Sequence, residues 1–158
     1  MTSVRRVIPI VVGWERLPKS YSVHGDTSGL VLVEPVPVVL LDTDSGWTLL
    51  DTGINTALVR DRPLYERLHG RNHAIFPILP AGDGEPLERA LAAHGVALAD
   101  VKRIYLSHLH NDHARGLRFD DPEIDWRLLD GDAELAPGIS AVLTPGHTPG
   151  HQSFELPT

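Results

Sequence analysis

The apolar residues of the chain fall in short runs separated by residues typical of turns, a pattern that indicates a protein rich in β-strands. The first run predicts a strand from Val4 to Val12. The segment from Gly13 to Gly29, which is interrupted by glycine, serine and proline, predicts a loop. Two apolar runs, Pro37 to Leu41 and Trp47 to Leu50, then flank the turn residues Asp44 to Gly46 and predict a β-hairpin.

The second half of the chain alternates between helical and strand patterns. Residues from Leu58 to Pro80 follow neither pattern clearly, whereas Glu85 to His94 fits a helix that ends at Gly95. An acidic stretch from Arg118 to Asp125 predicts a loop. Further strands are predicted for Arg103 to Ser107, Trp126 to Leu129, Ile139 to Leu143 and Gln152 to Leu156. This alternation indicates a single domain of mixed α/β or α+β class.

The composition is that of a globular protein and argues against several classes of function. A chain of 158 residues can bury a real core, and 42% hydrophobic and 22% charged residues are ordinary values. The formal net charge of -7 argues against binding to nucleic acids and to anionic membranes. No run approaches the roughly 20 apolar residues that span a bilayer, and the N-terminus lacks the features of a signal peptide. We therefore expect a cytoplasmic protein.

One short segment carries the clearest chemical signal. Three histidines and an aspartate lie between Ser107 and His113, directly after an apolar stretch; they are His108, His110, Asp112 and His113. Imidazole and carboxylate groups are common ligands of zinc and similar ions, and the chain has no cysteine to provide thiolates. A histidine-rich surface turn is the alternative interpretation. Buried polar groups without partners each cost about 1–3 kcal/mol, so the density of the cluster favours a metal site.

The spacing within this cluster suggests two neighbouring ions. Side chains alternate along an extended segment, so His108 and His110 point to the same side and can bind one ion together. Asp112 and His113 follow at a turn and can serve a second ion a few ångströms away. Two ions roughly 3.5–4 Å apart can share one hydroxide and polarise a carbonyl group, which is how many metal-dependent hydrolases work.

Three motifs of the chain resemble those of the metallo-β-lactamase superfamily. Ser107–His113 resembles its metal motif, Leu49–Gly53 resembles the strand and turn before that motif, and Thr144–His151 resembles the loop that supplies a further metal histidine. The stretch Asp125–Phe154 is most similar to the quorum-quenching N-acyl-homoserine lactonases. The resemblance implies an α+β fold, the αββα sandwich of the superfamily, formed as a single domain by residues 1–158.

The resemblance also implies which residues bind metal. His108, His110 and His147 would hold a first ion, and Asp112 and His113 would hold a second. The expected cofactor is Zn²⁺, with two ions in the family, although iron, cobalt or manganese can replace zinc at such ligands.

Three further roles follow from the same resemblance. Asp112 would also act in catalysis, by orienting the attacking hydroxide or carrying a proton. Asp51 would orient a ligand imidazole without touching the metal, although an aspartate at this position is also typical of a simple turn cap. His151 is expected to be a hydrogen-bonding residue of its loop rather than a ligand, because His147 occupies the matching position.

The implied activity is hydrolysis of a lactone ring by a metal-activated hydroxide, with a small lactone or ester as the partner. Two alternatives remain open. The metal-binding residues do not distinguish a lactonase from another hydrolase of the superfamily, such as a glyoxalase II-type thioesterase. The chain is also compatible with a catalytically silent metal-binding fragment.

The chain is shorter than the family members that it resembles. Their second half brings a carboxylate that bridges the two metals, a further histidine for the second metal and a tyrosine, and no residue after Thr158 fills these roles. We therefore expect the N-terminal part of the family fold, incomplete in its C-terminal half, with one tight metal site and one weak one. Its open sheet edges and uncovered apolar face predict that it forms a homodimer, aggregates or needs the missing part.

Overall fold

The fold is built on one large and one small β-sheet. The computed structural model describes residues 4–114 and 122–156. The large sheet has the strand order β4-β1-β2-β3-β5, with β1 at Val4–Pro18, β2 at Val31–Thr43, β3 at Gly46–Leu50, β4 at Phe76–Ile78 and β5 at Val101–Tyr105. The small sheet has the order β6-β7-β8, with β6 at Ala133–Ala136, β7 at Ile139–Leu143 and β8 at Gln152–Glu155.

Short helices connect the strands of the large sheet. They are α1 at Lys19–Ser22, α2 at Thr56–Arg60, α3 at Arg62–His69 and α4 at Pro86–Ala92, with a 3-10 turn at Leu98–Asp100. Within residues 4–114 and 122–156, no helix is both long and apolar enough to cross a membrane.

The two faces of the large sheet pack against different layers. Successive side chains of a strand point to opposite faces, so Leu40 and Leu41 of β2 belong to different cores. Leu40 packs in one buried cluster with Leu87 and Leu91 of α4. Leu41 packs in a second cluster with Ile139 of β7. The described residues therefore form a helical layer, the large sheet and the small sheet in succession, which confirms the predicted α+β class.

The predicted hairpin and helix are confirmed. β2 and β3 pair antiparallel, and Asp44 and Ser45 form the turn between them. α4 lies within the range predicted from Glu85 to His94, and Gly95 follows it with a left-handed φ of 72°. The region from Leu58 to Pro80, for which the sequence pattern gave no prediction, contains most of α2 together with α3 and β4.

The loop predicted from Gly13 to Gly29 is partly wrong, because β1 continues to Pro18. Its pairing with β2 extends to Pro18 and Val31, beyond a shift in register between Val11 and Gly13. The composition of these residues favours a loop, but the neighbouring strand supplies hydrogen-bonding partners for their backbone. Long-range pairing of this kind overrides local propensity in β-sheets.

The strand predicted from Trp126 to Leu129 is also wrong. These residues are irregular, and Leu128 is 88% exposed. The strand of this region is β6, which lies after Gly131 and pairs antiparallel with β7. The three other strands predicted in the second half of the chain are confirmed as β5, β7 and β8. The loop predicted from Arg118 to Asp125 lies partly on residues 115–121, outside the described residues.

The parallel pairing of β3 and β5 positions the candidate site. Leu50 is aligned with Tyr105, and the backbone N–H of Asp51 donates to the carbonyl oxygen of Tyr105 at 2.8 Å. Parallel strands require a long crossover connection, which α2, α3, β4 and α4 supply. Because both strands end at the same edge of the sheet, Asp51 and Ser107 emerge side by side.

Candidate metal centre

Backbone hydrogen bonds hold the histidine-rich segment after β5 in place. The carbonyl oxygen of His113 accepts from the N–H of Thr52 at 2.7 Å, and that of Asn111 accepts from Asn55 at 2.8 Å. The carbonyl oxygen of Ser107 accepts from the N–H of Gln152, at the start of β8, at 2.9 Å. The segment is therefore fixed to the turn after β3 and to the small sheet at the same time.

Three histidines from two loops converge at this point. His108 and His110 follow β5, and His147 lies between β7 and β8. Nε2 of His147 lies 2.9 Å from Nδ1 of His110 and 3.1 Å from Nε2 of His108. A ligand atom of each residue lies within 4.8 Å of those of the other two. Three imidazoles that meet in this way can hold a tetrahedral ion and leave its fourth position open.

The surroundings of this cluster favour the uncharged form of two imidazoles. Burial, together with the neighbouring His113 and His110, lowers the pKa of His108 to about 4. Burial and the neighbouring His110 and His151 also lower the pKa of His147. A neutral imidazole can donate its lone pair to a metal, whereas an imidazolium must first lose a proton. These two side chains are therefore ready to bind a cation at neutral pH.

A second candidate cluster consists of His108, Asp112 and His113. Nε2 of His113 lies 3.1 Å from Oδ2 of Asp112. The two clusters share His108, so together they provide only five different side chains. The first cluster consists of imidazoles alone, whereas the second includes a carboxylate.

Asp51 connects the turn after β3 to this second cluster. Its carboxylate accepts hydrogen bonds from the backbone N–H of Ser107 at 2.7 Å and from the Ser107 hydroxyl at 2.8 Å. Nδ1 of His113 donates to the same carboxylate at 2.8 Å. This hydrogen bond places a proton on Nδ1 and turns Nε2 toward Asp112, which is how a carboxylate commonly orients a metal-binding histidine.

The two carboxylates make His113 strongly basic. Burial alone would lower the pKa of His113, but hydrogen bonds with Asp112 and Asp51 outweigh that effect and raise the pKa to about 9. Burial alone would raise the pKa of Asp112, but its hydrogen bond with His113 holds that pKa below its ordinary value. A metal at the second cluster would have to displace a proton from His113 at neutral pH.

His151 lies at the edge of the histidine group. The centroid of its ring is 5.2 Å from that of His108 and 6.0 Å from that of His147. Its Nδ1 is 2.9 Å from the hydroxyl oxygen of Thr144, and its carbonyl oxygen accepts from the Thr144 N–H. The structure thus places His151 in contacts that stabilise its own loop.

A cavity of about 740 Å³ opens beside these side chains. Its lining residues include His110, Asp112, His113 and His147. The donor atoms of the candidate centre are therefore accessible to a small molecule.

Comparison with known proteins identifies the family. The sequence model of the metallo-β-lactamase superfamily matches residues 31–119, more than half of the chain. The chain belongs to the metallo-β-lactamase superfamily. This membership confirms the predicted resemblance, and it fits a chain in which the metal motif follows β5 and Asp51 follows β3.

Within the metallo-β-lactamase superfamily, the chain is similar to N-acyl homoserine lactonases. It is 30% identical to the N-acyl homoserine lactonase of Bacillus cereus over an alignment that covers 84% of this chain. It is 29% identical to the N-acyl homoserine lactonase AttM of Agrobacterium fabrum, over 76% of this chain. The alignments cover 62% and 59% of these relatives, so the chain spans about three fifths of their length.

Solved structures of this superfamily show the same fold. One is an N-acyl homoserine lactone hydrolase with the product N-hexanoyl-L-homoserine bound at its catalytic metal centre. It is 29% identical and superimposes with a TM-score of 0.80 over 98% of this chain and 71% of its own. A Bacillus thuringiensis AiiA variant with N-decanoyl-L-homoserine at the active site gives a TM-score of 0.79 over 97% and 70% of the two chains, at 28% identity.

Several residues that line the cavity beside the histidines were not predicted as functional from the sequence. Glu15 and Tyr65 line it, together with His69, His73 and Asn111. His69 and His73 match no family motif, and sequence analysis alone does not separate them from surface histidines. Their spacing of four residues, inside the unassigned region that also carries Tyr65, is a signal that could have drawn attention to them.

Proposed function

We propose that this chain is a metal-dependent hydrolase that opens the ring of N-acyl-homoserine lactones. The observation that carries the proposal is the convergence of His108, His110 and His147 beside a large cavity that His110 and His147 line. The similarity to lactonases at about 30% identity supports the choice of a lactone as the substrate. A similar structure with an acyl-homoserine product at its metal centre supports the same choice.

The donor set of the chain fits a zinc ion. Three imidazoles are a recurrent ligand set of catalytic zinc, and the chain offers no thiolate that would favour a closed structural site. When bound, such an ion acidifies a water molecule and polarises a carbonyl group. His108, His110 and His147 would hold it, with Asp112 and His113 available for a second ion.

Side chains of the site orient the water and the substrate in the proposed hydrolysis. Asp112 is ionised at neutral pH and orients the attacking water by accepting a hydrogen bond from it. Asp51 keeps His113 in one tautomer and one orientation. The cavity holds the acyl group, so that the lactone carbonyl lies at the histidine end. Addition of water to that carbonyl breaks the ring C–O bond, and the departing oxygen takes a proton to give the hydroxyl group of an acyl-homoserine.

The activity can be tested with zinc-loaded protein and N-hexanoyl-homoserine lactone. Ring opening releases a proton, which a pH-stat assay records directly. We expect turnover that a chelator abolishes, and a loss in kcat/KM of more than about 100-fold in His110→Ala, because removing a direct ligand should exceed the 10–100-fold effect of losing an outer hydrogen-bonding partner. His94→Ala is the matched control, since His94 is exposed beyond α4 and does not line the cavity.

Other outcomes would favour the alternatives. Turnover of a thioester but of no lactone would support a glyoxalase II-type thioesterase. Zinc-replete protein that hydrolyses neither substrate would contradict the proposal and support a silent metal-binding module.

A further inference from the structure

Ser107 places its hydroxyl group between Asp51 and two histidines of the candidate metal centre, although it belongs to neither cluster. Its Oγ lies 2.8 Å from Oδ2 of Asp51 and 3.0 Å from Nδ1 of His108. A longer distance of 3.4 Å separates it from Nδ1 of His113. Ser107 and His108 are only 9% and 6% exposed. The hydroxyl group is therefore a buried connection between the Asp51 carboxylate and the metal motif.

The chemistry of this hydroxyl group sets the direction of its hydrogen bonds. A hydroxyl group has one proton to donate, and a carboxylate can only accept. The proton of the Ser107 hydroxyl therefore goes to Asp51, which leaves the Ser107 oxygen as an acceptor for His108. An imidazole nitrogen that donates must carry a proton. The contact between the two side chains is thus a hydrogen bond from Nδ1 of His108 to Oγ of Ser107.

The other ring nitrogen of His108 faces the first cluster. Nε2 of His108 lies 3.1 Å from Nε2 of His147, which in turn lies 2.9 Å from Nδ1 of His110. A neutral imidazole with its proton on Nδ1 keeps its lone pair on Nε2, where an ion would bind. Within residues 4–114 and 122–156, Ser107 is the only hydrogen-bonding partner of His108 Nδ1. His108 also belongs to the second cluster, so its orientation affects both.

The backbone of Ser107 is held independently of its hydroxyl group. Its N–H donates to Oδ1 of Asp51 at 2.7 Å, and its carbonyl oxygen accepts from the N–H of Gln152 at 2.9 Å. Neither hydrogen bond involves Oγ. A substitution of Ser107 by alanine should therefore leave the segment in place and remove only the hydrogen bonds of the hydroxyl group.

We propose that Ser107 is a positioning residue that holds His108 in the tautomer with its proton on Nδ1 and its lone pair directed at the first cluster. Asp51 orients the Ser107 hydroxyl and also accepts from His113. One carboxylate therefore orients a histidine of each cluster, His108 through Ser107 and His113 directly. The inference rests on the proposed metal-dependent function and specifies how this chain selects the metal-binding nitrogen of His108.

Nitrogen NMR of the metal-free protein tests the tautomer directly. The nitrogen chemical shifts of a histidine ring distinguish its protonated nitrogen from its unprotonated one, and the signals of His108 are those missing from His108→Gln. We expect the wild type to carry the proton on Nδ1. Ser107→Ala should populate both tautomers, because Nδ1 loses its partner. Ser107→Thr keeps a hydroxyl group and should keep the tautomer of the wild type.

Zinc affinity, measured by competition with a chromophoric chelator, is the second readout. We expect about 10- to 100-fold weaker binding in Ser107→Ala, the effect of losing an outer hydrogen-bonding partner of a metal ligand. Ser107→Thr should restore most of this affinity. Ser45→Ala, in the exposed turn between β2 and β3, is the matched control and should change neither the tautomer nor the affinity.

The outcomes separate this role of Ser107 from the lactonase activity itself. A wild type with the proton on Nε2 of His108 would overturn the inference. An alanine variant that keeps the tautomer and the zinc affinity, or a threonine variant that loses both as alanine does, would overturn it too. Protein that shows the expected tautomers but opens no lactone would support the inference and contradict the proposed activity. Lactone turnover by a wild type with His108 protonated on Nε2 would do the reverse.

Discussion

Asp51 has a backbone conformation that few side chains tolerate. Its φ of 61° is the only positive value outside glycine among the described residues. Left-handed conformations cost most residues roughly 1–2 kcal/mol, and aspartate and asparagine accept them more readily than others. In this conformation the carboxylate reaches both Ser107 and His113. The position of the strain next to the histidine cluster is consistent with a functional role for this carboxylate.

The substitution Asp51→Asn separates the charge of this side chain from its backbone conformation. Asparagine also tolerates a positive φ, so the turn should persist, but one carboxylate oxygen becomes an amide nitrogen that cannot accept a hydrogen bond. This change disturbs the Ser107 hydroxyl, which donates to Asp51 and lies 3.0 Å from Nδ1 of His108. We expect about 10- to 100-fold weaker zinc binding, measured by competition with a chromophoric chelator. Asp44→Asn, in the exposed turn between β2 and β3, is the control. Unchanged affinity in Asp51→Asn would mean that this residue only caps its turn.

Glu15 is a partly buried acid whose ionisation the fold disfavours. It lies opposite Glu34 on the neighbouring strand. Burial and then the negative charge of Asp112, with a smaller contribution from Glu34, raise the pKa of Glu15 from 4.5 to about 7. The folded protein therefore prefers the protonated form. The wild type should lose stability as the pH rises from about 4.5 to 7, in the direction that linkage requires for a raised acid pKa.

The substitution Glu15→Gln should remove this dependence on pH. At pH 8 we expect it to raise the free energy of unfolding by roughly 1–2 kcal/mol, less than the full shift implies because the side chain is only partly buried. Near pH 4.5 the gain should vanish. Urea unfolding at several pH values, without added metal, measures the difference, and Glu134→Gln on the exposed side of β6 serves as the control. A gain that is the same at both pH values would show that the ionisation of Glu15 is not its origin.

Local sequence signals identify some of the site residues and miss others for a physical reason. His108, His110, Asp112 and His113 are neighbours in sequence, so their spacing alone indicates a metal site. Other residues of the cavity, Glu15, Tyr65, His69 and His73, come from β1, α3 and the segment after α3. Only the folding of these distant segments around one cavity brings them near the histidines, and no local pattern encodes that.

At the scale of elements, the turn after β3 depends on close contact with β1. Gly53 has a φ of 78°, and a Cβ atom added there would lie 2.3 Å from Cγ2 of Val12. Glycine at this position therefore allows both the left-handed conformation and the approach of the two segments. The turn also donates backbone hydrogen bonds to carbonyl oxygens of the histidine-rich segment, so its geometry sets the position of the candidate site.

Gly53→Ala should consequently destabilise the fold more than the same substitution at a left-handed glycine with open space around it. We expect the free energy of unfolding to fall by about 2–5 kcal/mol, because alanine is strained in the left-handed conformation and its Cβ overpacks against Val12. Gly25→Ala is a matched control, because Gly25 has a φ of 77° but no neighbour within 4 Å of an added Cβ. The Gly25→Ala substitution should lower the free energy of unfolding by only about 1–2 kcal/mol. Equal losses in the two variants, measured by thermal or urea unfolding, would show that the contact with Val12 does not matter.

The elements that sequence patterns predict best are those with a strong local signal. The hairpin of β2 and β3 combines two apolar runs with turn residues, and α4 combines an apolar face with glycine after its end. The extension of β1 to Pro18 depends on pairing with β2, whereas Trp126 to Leu129 has an apolar pattern but is not a strand in the structure. Strand boundaries follow from partners that are remote in sequence, so local patterns place them poorly.

At the scale of the whole molecule, the candidate metal centre lies where the two sheets meet. His108 and His110 follow a strand of the large sheet, whereas His147 lies on a loop of the small sheet. Packing of Leu41 against Ile139 joins the two sheets, and the hydrogen bond from Gln152 to Ser107 fixes their edges beside the site. The first cluster of three imidazoles therefore exists only when both sheets are docked.

The metal content of the purified chain after desalting tests this account most directly. Elemental analysis of zinc-loaded wild type should give about one tightly held ion per chain, as expected for one complete three-histidine site. His147→Ala should lose that ion although it leaves the metal motif after β5 intact, and His94→Ala should retain it. A wild-type protein that holds no metal, or a His147→Ala variant that holds as much as the wild type, would contradict a metal centre shared by the two sheets.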